Sequence, residues 1–271
     1  MPTEGTNDNP SNTELLAAHE PPPCTVLNCD SQLPILLLCD HASRRIPASL
    51  GDMGLDPPAR RCHLAVDIGA GTLTRRLAAD LSATAVLCEY SRLVVDCNRQ
   101  LLDPGAYLEY GDGIVIPGNR NLRPEQKTLR ADSVYWPYHE AIAEELVRLQ
   151  SYGTPPAVLA IHSFTPVLNG VSRPWQMGIL WDTDKRLSDL FIKELDEAGF
   201  LVGDNEPYSG KAPQDFTIDY HAEANALPHV GIEIRQDLID DEAGVAEIAE
   251  LFRGIIRTIP ARISAPTRIH A

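Results

Sequence analysis

The sequence has no C-x-x-C pair, no H-E-x-x-H on a helix, no G-x-S-x-G, no P-loop and no glycine-rich dinucleotide turn between a strand and a helix. Each absence removes a class: paired-cysteine zinc folds, helical zinc proteases, serine hydrolases of the nucleophile-elbow type, P-loop NTPases and Rossmann dehydrogenases. Ser43 and Ser163 follow His41 and His162 by two residues and one, too close in sequence to be taken as members of a triad. Cations are also scarce. Against 38 Asp and Glu there are 23 Lys and Arg, a formal net charge of -15. That balance argues against nucleic acid or an anionic membrane surface as the main partner. No apolar stretch approaches the roughly 20 residues that span a bilayer. The amino-terminal residues lack a basic segment followed by an apolar one, so no secretory signal is expected and the expected location is cytoplasmic. Six cysteines are scattered, mostly inside apolar runs, as small core residues rather than a disulfide framework.

What remains is 271 residues, 44% of them hydrophobic, enough for one large core. Residues 1–22 are rich in Pro, Asn, Thr and Glu and read as a mobile tail, with a single domain over residues 23–271. Strand-length apolar runs occur at 33–39, 85–88, 93–95, 157–161, 177–181 and 230–234. Helical spacing of apolar residues predicts helices over 72–81, 130–150, 186–198 and 241–258. The alternation predicts an α/β domain with a central, mostly parallel or mixed sheet flanked by helices. In such sheets, ligands bind outside the carboxyl ends of the strands. Residues 96–122, punctuated by Pro and Gly without a period, read as a long ordered loop.

Three apolar runs end in chemistry. Leu33–Cys39 runs into Asp40 and His41, residues 157–161 deliver His162, and Glu233 interrupts the run at 230–234. One such histidine alone reads as a core residue with satisfied ring nitrogens. Two in matching strand-end contexts point to a metal, since imidazole and carboxylate are zinc ligands and a catalytic zinc keeps three of them beside an open position. Asp67 is the first choice for the third ligand, although it also suits the start of a helix; Asp40 is the alternative, as an acid that orients an imidazole. Iron, manganese or cobalt would accept the same donors. Glu233, a carboxylate in an apolar strand, reads as the general base, or else as an ion-pair partner of Arg235 two residues along the same face. Arg92, Asn98, Arg99, Arg173 and Arg235 lie near strand ends and are candidates to bind a small anionic substrate through its carboxylates.

The segments CDHASRRIP, AVDIGAG, YSRLVVDCNR, IPGN, PYH, IHSFTPVLNGVSRPW, NEPYSG and GIEIRQDLI, in that order, resemble the N-formylglutamate amidohydrolase family over about residues 33–240. The resemblance implies a zinc-carboxypeptidase-like (phosphorylase/hydrolase-like) fold. It implies Zn2+ at His41 and His162, completed by Asp67, with Glu233 as the base and Asn98-Arg99 as a carboxylate-binding pair. Related members often carry Asn where this sequence has Arg44, which marks a subgroup whose substrate need not be formylglutamate. The expected reaction is zinc-dependent hydrolysis of an N-formyl or N-acyl acidic amino acid such as N-formyl-L-glutamate. The alternatives are another N-acyl amino acid or small acidic peptide as substrate, or a metal-free binding protein for an acidic metabolite. The oligomeric state is left open.

Overall fold

The structure is a computed structural model that describes residues 14–211 and 215–263. Strands β1 (Cys24–Leu27) and β2 (Ile35–Cys39) lead into helix α1 (Ala70–Leu81) and β3 (Thr84–Cys88). A two-stranded hairpin follows, β4 (Tyr110–Gly111) with β5 (Ile114–Val115), then α2 (Pro124–Arg130), α3 (Trp136–Gln150) and β6 (Ala157–Phe164). A second hairpin pairs β7 (Val167–Leu168) with β8 (Val171–Ser172). The remainder runs β9 (Met177–Leu180), α4 (Ser188–Glu197), β10 (Val202–Asp204), α5 (Phe216–His221), β11 (His229–Arg235), α6 (Glu242–Ile256) and α7 (Ile259–Ile263).

Seven strands form one mixed sheet in the order β1-β3-β2-β6-β11-β9-β10. Its centre, β3-β2-β6-β11, is parallel, β1 pairs antiparallel with β3, and β9 pairs antiparallel with β11 but parallel with β10. The strands alternate between two cores. Ile35, Leu37 and Cys39 of β2 pack with α1, α4, α6 and α7, and Leu36 and Leu38 pack on the opposite face with α3 and α5. Burial on both faces explains why β2 is a continuous apolar run rather than an alternating one. Each fully buried Leu there contributes about 1.5–3 kcal/mol over an exposed one.

The predicted helices are present, with one interruption. A wide π turn over Ala131–Tyr135 joins α2 to α3, so the helix expected at 130–150 is regular only from Trp136. Leu93–Val95 is buried but is a turn, not a strand. The Ser91 hydroxyl accepts from the Leu93 amide and donates to the Ala65 carbonyl, which gives the backbone a turn in place of a ladder. Of the stretch expected to be a mobile tail, residues 1–13 lie outside the described residues and residues 14–22 lie on the domain. Leu15 is buried, and the Pro21 carbonyl accepts from the Tyr90 hydroxyl at 2.8 Å. A few apolar anchors there offset the ordering entropy that the composition suggested would win. No helix among the described residues is long and apolar enough to cross a membrane.

Candidate metal centre and adjoining cavity

The parallel centre of the sheet gathers the polar residues. Asp40 and His41 follow β2, the loop after β3 carries Arg92, Asp96, Asn98 and Arg99, and His162 and Glu233 lie near the carboxyl ends of β6 and β11. Asp67 precedes α1, and the turn between them needs Gly69: its φ is +80°, and a Cβ there would strike the Ile239 backbone carbonyl.

Asp67 Oδ2 stands 3.2 Å from His41 Nδ1 and 2.9 Å from His162 Nδ1. The ligand atoms of these three buried residues all lie within 4.8 Å of one another. The other ring nitrogens face acids as well. His41 Nε2 is 2.8 Å from Asp96 Oδ1. His162 Nε2 is 3.2 Å from Asp40 Oδ2, at ion-pair distance but outside hydrogen-bond angles. Asp96 is held in turn by the Arg92 guanidinium, with Nε at 3.0 Å, and by the Asn98 amide. The Thr217 hydroxyl donates to Asp40 Oδ1 at 2.6 Å.

This donor set fits a divalent cation. With Nε2–H of each imidazole turned to Asp96 or Asp40, both Nδ1 lone pairs meet the Asp67 carboxylate, and acceptors converge without a donor among them. The charges agree: three buried carboxylates against the one Arg92 guanidinium leave a double negative charge when both imidazoles are neutral. Without a cation the site must take up protons instead. Burial and Arg92 push His41 down, but Asp96 and Asp67 overcome both and carry it up to about 9. Burial likewise opposes protonation of His162, yet Asp40 and Asp67 raise it well above its ordinary value. Burial would raise Asp67, but the two imidazoles hold it far below the usual carboxylate range.

Glu233 borders the same cavity and is different in kind. Its Oε2 has no hydrogen-bond partner among the described residues, and burial, the largest influence on it, pushes its carboxyl up to about 7. Its expected competitor, Arg235, pairs elsewhere. The Arg235 guanidinium reaches Asp237 through Nε at 2.7 Å and Nη2 at 3.0 Å and also meets the Pro174 carbonyl, outside the cavity wall. Sequence reasoning missed this because a bidentate partner two residues on looks like any other acid. Arg92, Asn98 and Arg99 do border the cavity, whose volume is about 320 Å3. Arg173 does not; it donates to the Tyr208 hydroxyl at 2.8 Å, and Tyr208 is the wall residue. Asp215 went unnoticed in the sequence. It is buried, borders the cavity and keeps one oxygen unpartnered, and burial raises its carboxyl.

The profile of the N-formylglutamate amidohydrolase family matches residues 33–240. The chain belongs to this family. A search among curated proteins finds no match. Among solved structures, a gene product of Agrobacterium tumefaciens is 34% identical, with 93% of this chain and 100% of that one covered and a TM-score of 0.89. An N-formylglutamate amidohydrolase from Ralstonia eutropha is 20% identical, with 89% and 98% covered and a TM-score of 0.70, a likeness of fold. The mixed sheet between helices expected from the sequence is thus the fold of an N-formylglutamate amidohydrolase.

Proposed function

We propose that this family member is a zinc-dependent hydrolase of an N-formyl or N-acyl acidic amino acid, with N-formyl-L-glutamate as the reference substrate. The observation that supports this most is the placement of Asp67 Oδ2 between the two imidazole Nδ1 atoms, with the unpartnered Glu233 carboxyl on the strand beside His162. Held by His41, Asp67 and His162, zinc would supply Lewis acidity, polarising the amide carbonyl and making water more acidic.

The chain's own residues do the rest. Glu233 takes the proton of the attacking water and returns it to the departing nitrogen, a task suited to a carboxyl poised near neutrality. Asp96 and Asp40 hold the two imidazoles in one orientation. Arg92 and Arg99, with Asn98 on the same cavity wall, receive the substrate carboxylate. Arg173 contributes through Tyr208, whose hydroxyl accepts from its guanidinium.

The test is release of formate from N-formyl-L-glutamate by zinc-loaded protein, beside a panel of other N-acyl amino acids. Chelator-sensitive release supports the proposal. Thermal stabilisation by acidic metabolites that survives chelation, with no turnover of any amide, would point instead to a metal-free binding protein.

A further inference from the structure

A second chamber adjoins the first. Its volume is about 300 Å3, and Asp67, Arg92, Arg99, Ser163 and Tyr208 border both, so the two meet at the candidate metal cluster. Beyond that shared wall the chemistry changes. Four apolar side chains, Leu64, Leu108, Phe164 and Leu168, line the second chamber beside polar ones that include His63, Asp96 and Asp112. Its walls meet at Asp112: His63 Nε2 is 3.4 Å from Asp112 Oδ2, at ion-pair distance without a hydrogen bond, and the Asn169 backbone amide donates to Asp112 Oδ1 at 3.2 Å. These contacts join the loop before Asp67 to the turns of the β4–β5 and β7–β8 hairpins.

Beyond the shared wall this chamber offers acids and no fixed cation. Its one basic group beyond the shared arginines, His63, faces Asp112, and burial pushes the imidazole down, toward its neutral form. With Arg92 and Arg99 of the shared wall engaged by the substrate's first carboxylate, a second carboxylate entering there would find Asp112 and no further cation among the lining residues. An apolar group would find four apolar side chains.

A substrate with its amide at the metal cluster and its carboxylate on Arg92 and Arg99 has one further arm to place. In N-formylglutamate the acyl side ends at a single carbon and the side chain ends in a charge, so neither matches this lining.

We propose that the second chamber binds an uncharged, largely apolar arm of the substrate, making the preferred amide bulkier on that side than N-formylglutamate. This rests on the reading of the site as an amide hydrolase. The arm is either a longer acyl group or an apolar side chain on the amino acid released, and the two sources share one chemistry.

Three compounds separate the possibilities: N-formyl-L-glutamate, N-hexanoyl-L-glutamate and N-formyl-L-phenylalanine. Binding is measured by calorimetry on the zinc-loaded Glu233→Gln protein, and turnover on the wild type. One of the two bulkier compounds should bind and react at least ~10-fold better than N-formyl-L-glutamate, as a hydrophobic subsite gains roughly that from its added groups. N-hexanoyl-L-glutamate would assign the chamber to the acyl group, and N-formyl-L-phenylalanine to the side chain. Leu168→Trp, which fills the chamber, should lower the ratio of bulky to formyl-glutamate affinity by ~10-fold or more. Leu168→Asn, which removes the apolar contact without adding bulk, should lower it in the same direction. A bulky-compound preference in binding without turnover of any compound would refute amide hydrolysis and leave the chamber's specificity standing. N-formyl-L-glutamate as the best of the three, with ratios unmoved in both Leu168 variants, would overturn the inference, as would failure of all three to bind.

Discussion

Glu233 and His162 are register partners on the adjacent parallel strands β11 and β6, so both side chains leave the sheet on one face and border the same cavity. Neighbouring strands lie about 4.8 Å apart. The separation of Glu233 and His162 is therefore set by backbone pairing in the middle of the sheet rather than by a loop, which mounts the two side chains rigidly.

Glu233→Gln keeps the shape of the side chain and removes its capacity to take a proton. Amide hydrolysis should fall by about 10²–10⁴ in kcat while zinc content is unchanged. Kinetics and elemental analysis on the same preparation check this. Near wild-type turnover with zinc bound would remove Glu233 from the role of base.

Asp96 and Asp40 each face the Nε2 of one histidine. Asp96→Asn and Asp40→Asn should each weaken zinc binding by about 10- to 100-fold, because the imidazole loses the acid that fixes its tautomer. Competition with a chromophoric chelator measures the effect. Unchanged affinity in both variants would mean that the acids serve only local packing.

Arg92 and Arg99 border the same cavity but differ in how they are held. Arg92 lies 3.6 Å from Asp67 and is bound to Asp96, whereas the Arg99 guanidinium has no ion pair among the described residues. Arg99→Ala should raise KM by tenfold or more with little loss of kcat or zinc. Arg92→Ala should also lower zinc affinity. Steady-state kinetics with metal titration separate the two, and an unchanged KM in Arg99→Ala would exclude it from carboxylate binding.

His139 and His221 set an acid limit on stability. His139 Nε2–H donates to the Cys97 carbonyl at 2.9 Å, so its Nδ1 accepts from His221 Nε2–H, also at 2.9 Å, and only a neutral His139 satisfies both bonds. Burial pushes each down to about 4, below the ordinary value of 6.5. Between those values the unfolded chain binds more protons than the folded one. Stability from this pair is therefore full above pH 6.5 and declines as the pH falls toward 4, by up to about 1.4 kcal/mol per pH unit for each histidine. His221→Gln should shallow that slope by one proton in urea unfolding between pH 7.5 and 5. An identical slope in the variant would contradict the assignment.

The sheet was readable where burial on both faces made apolar runs continuous, as in β2, and unreadable where a side chain redirected a buried run, as Ser91 does before Leu93. His41, His162 and Glu233 stood out because a charged or imidazole group inside an apolar strand has few reasons to be there. The groups that orient them did not. Thr217 reaches Asp40 across 177 residues, and Asp96 meets His41 only once the loop after β3 folds back over β2. Arg235 looked like a ligand for anions because its local pairing with Asp237 leaves no periodic signal.

The proposed chemistry depends on a metal ion held by His41, Asp67 and His162. Elemental analysis of wild type and His162→Ala, each incubated with zinc and desalted, tests it most directly. About one zinc per chain is expected in the wild type, and its loss in the variant. Absence of metal from the wild type after incubation, or equal content in both proteins, would contradict it.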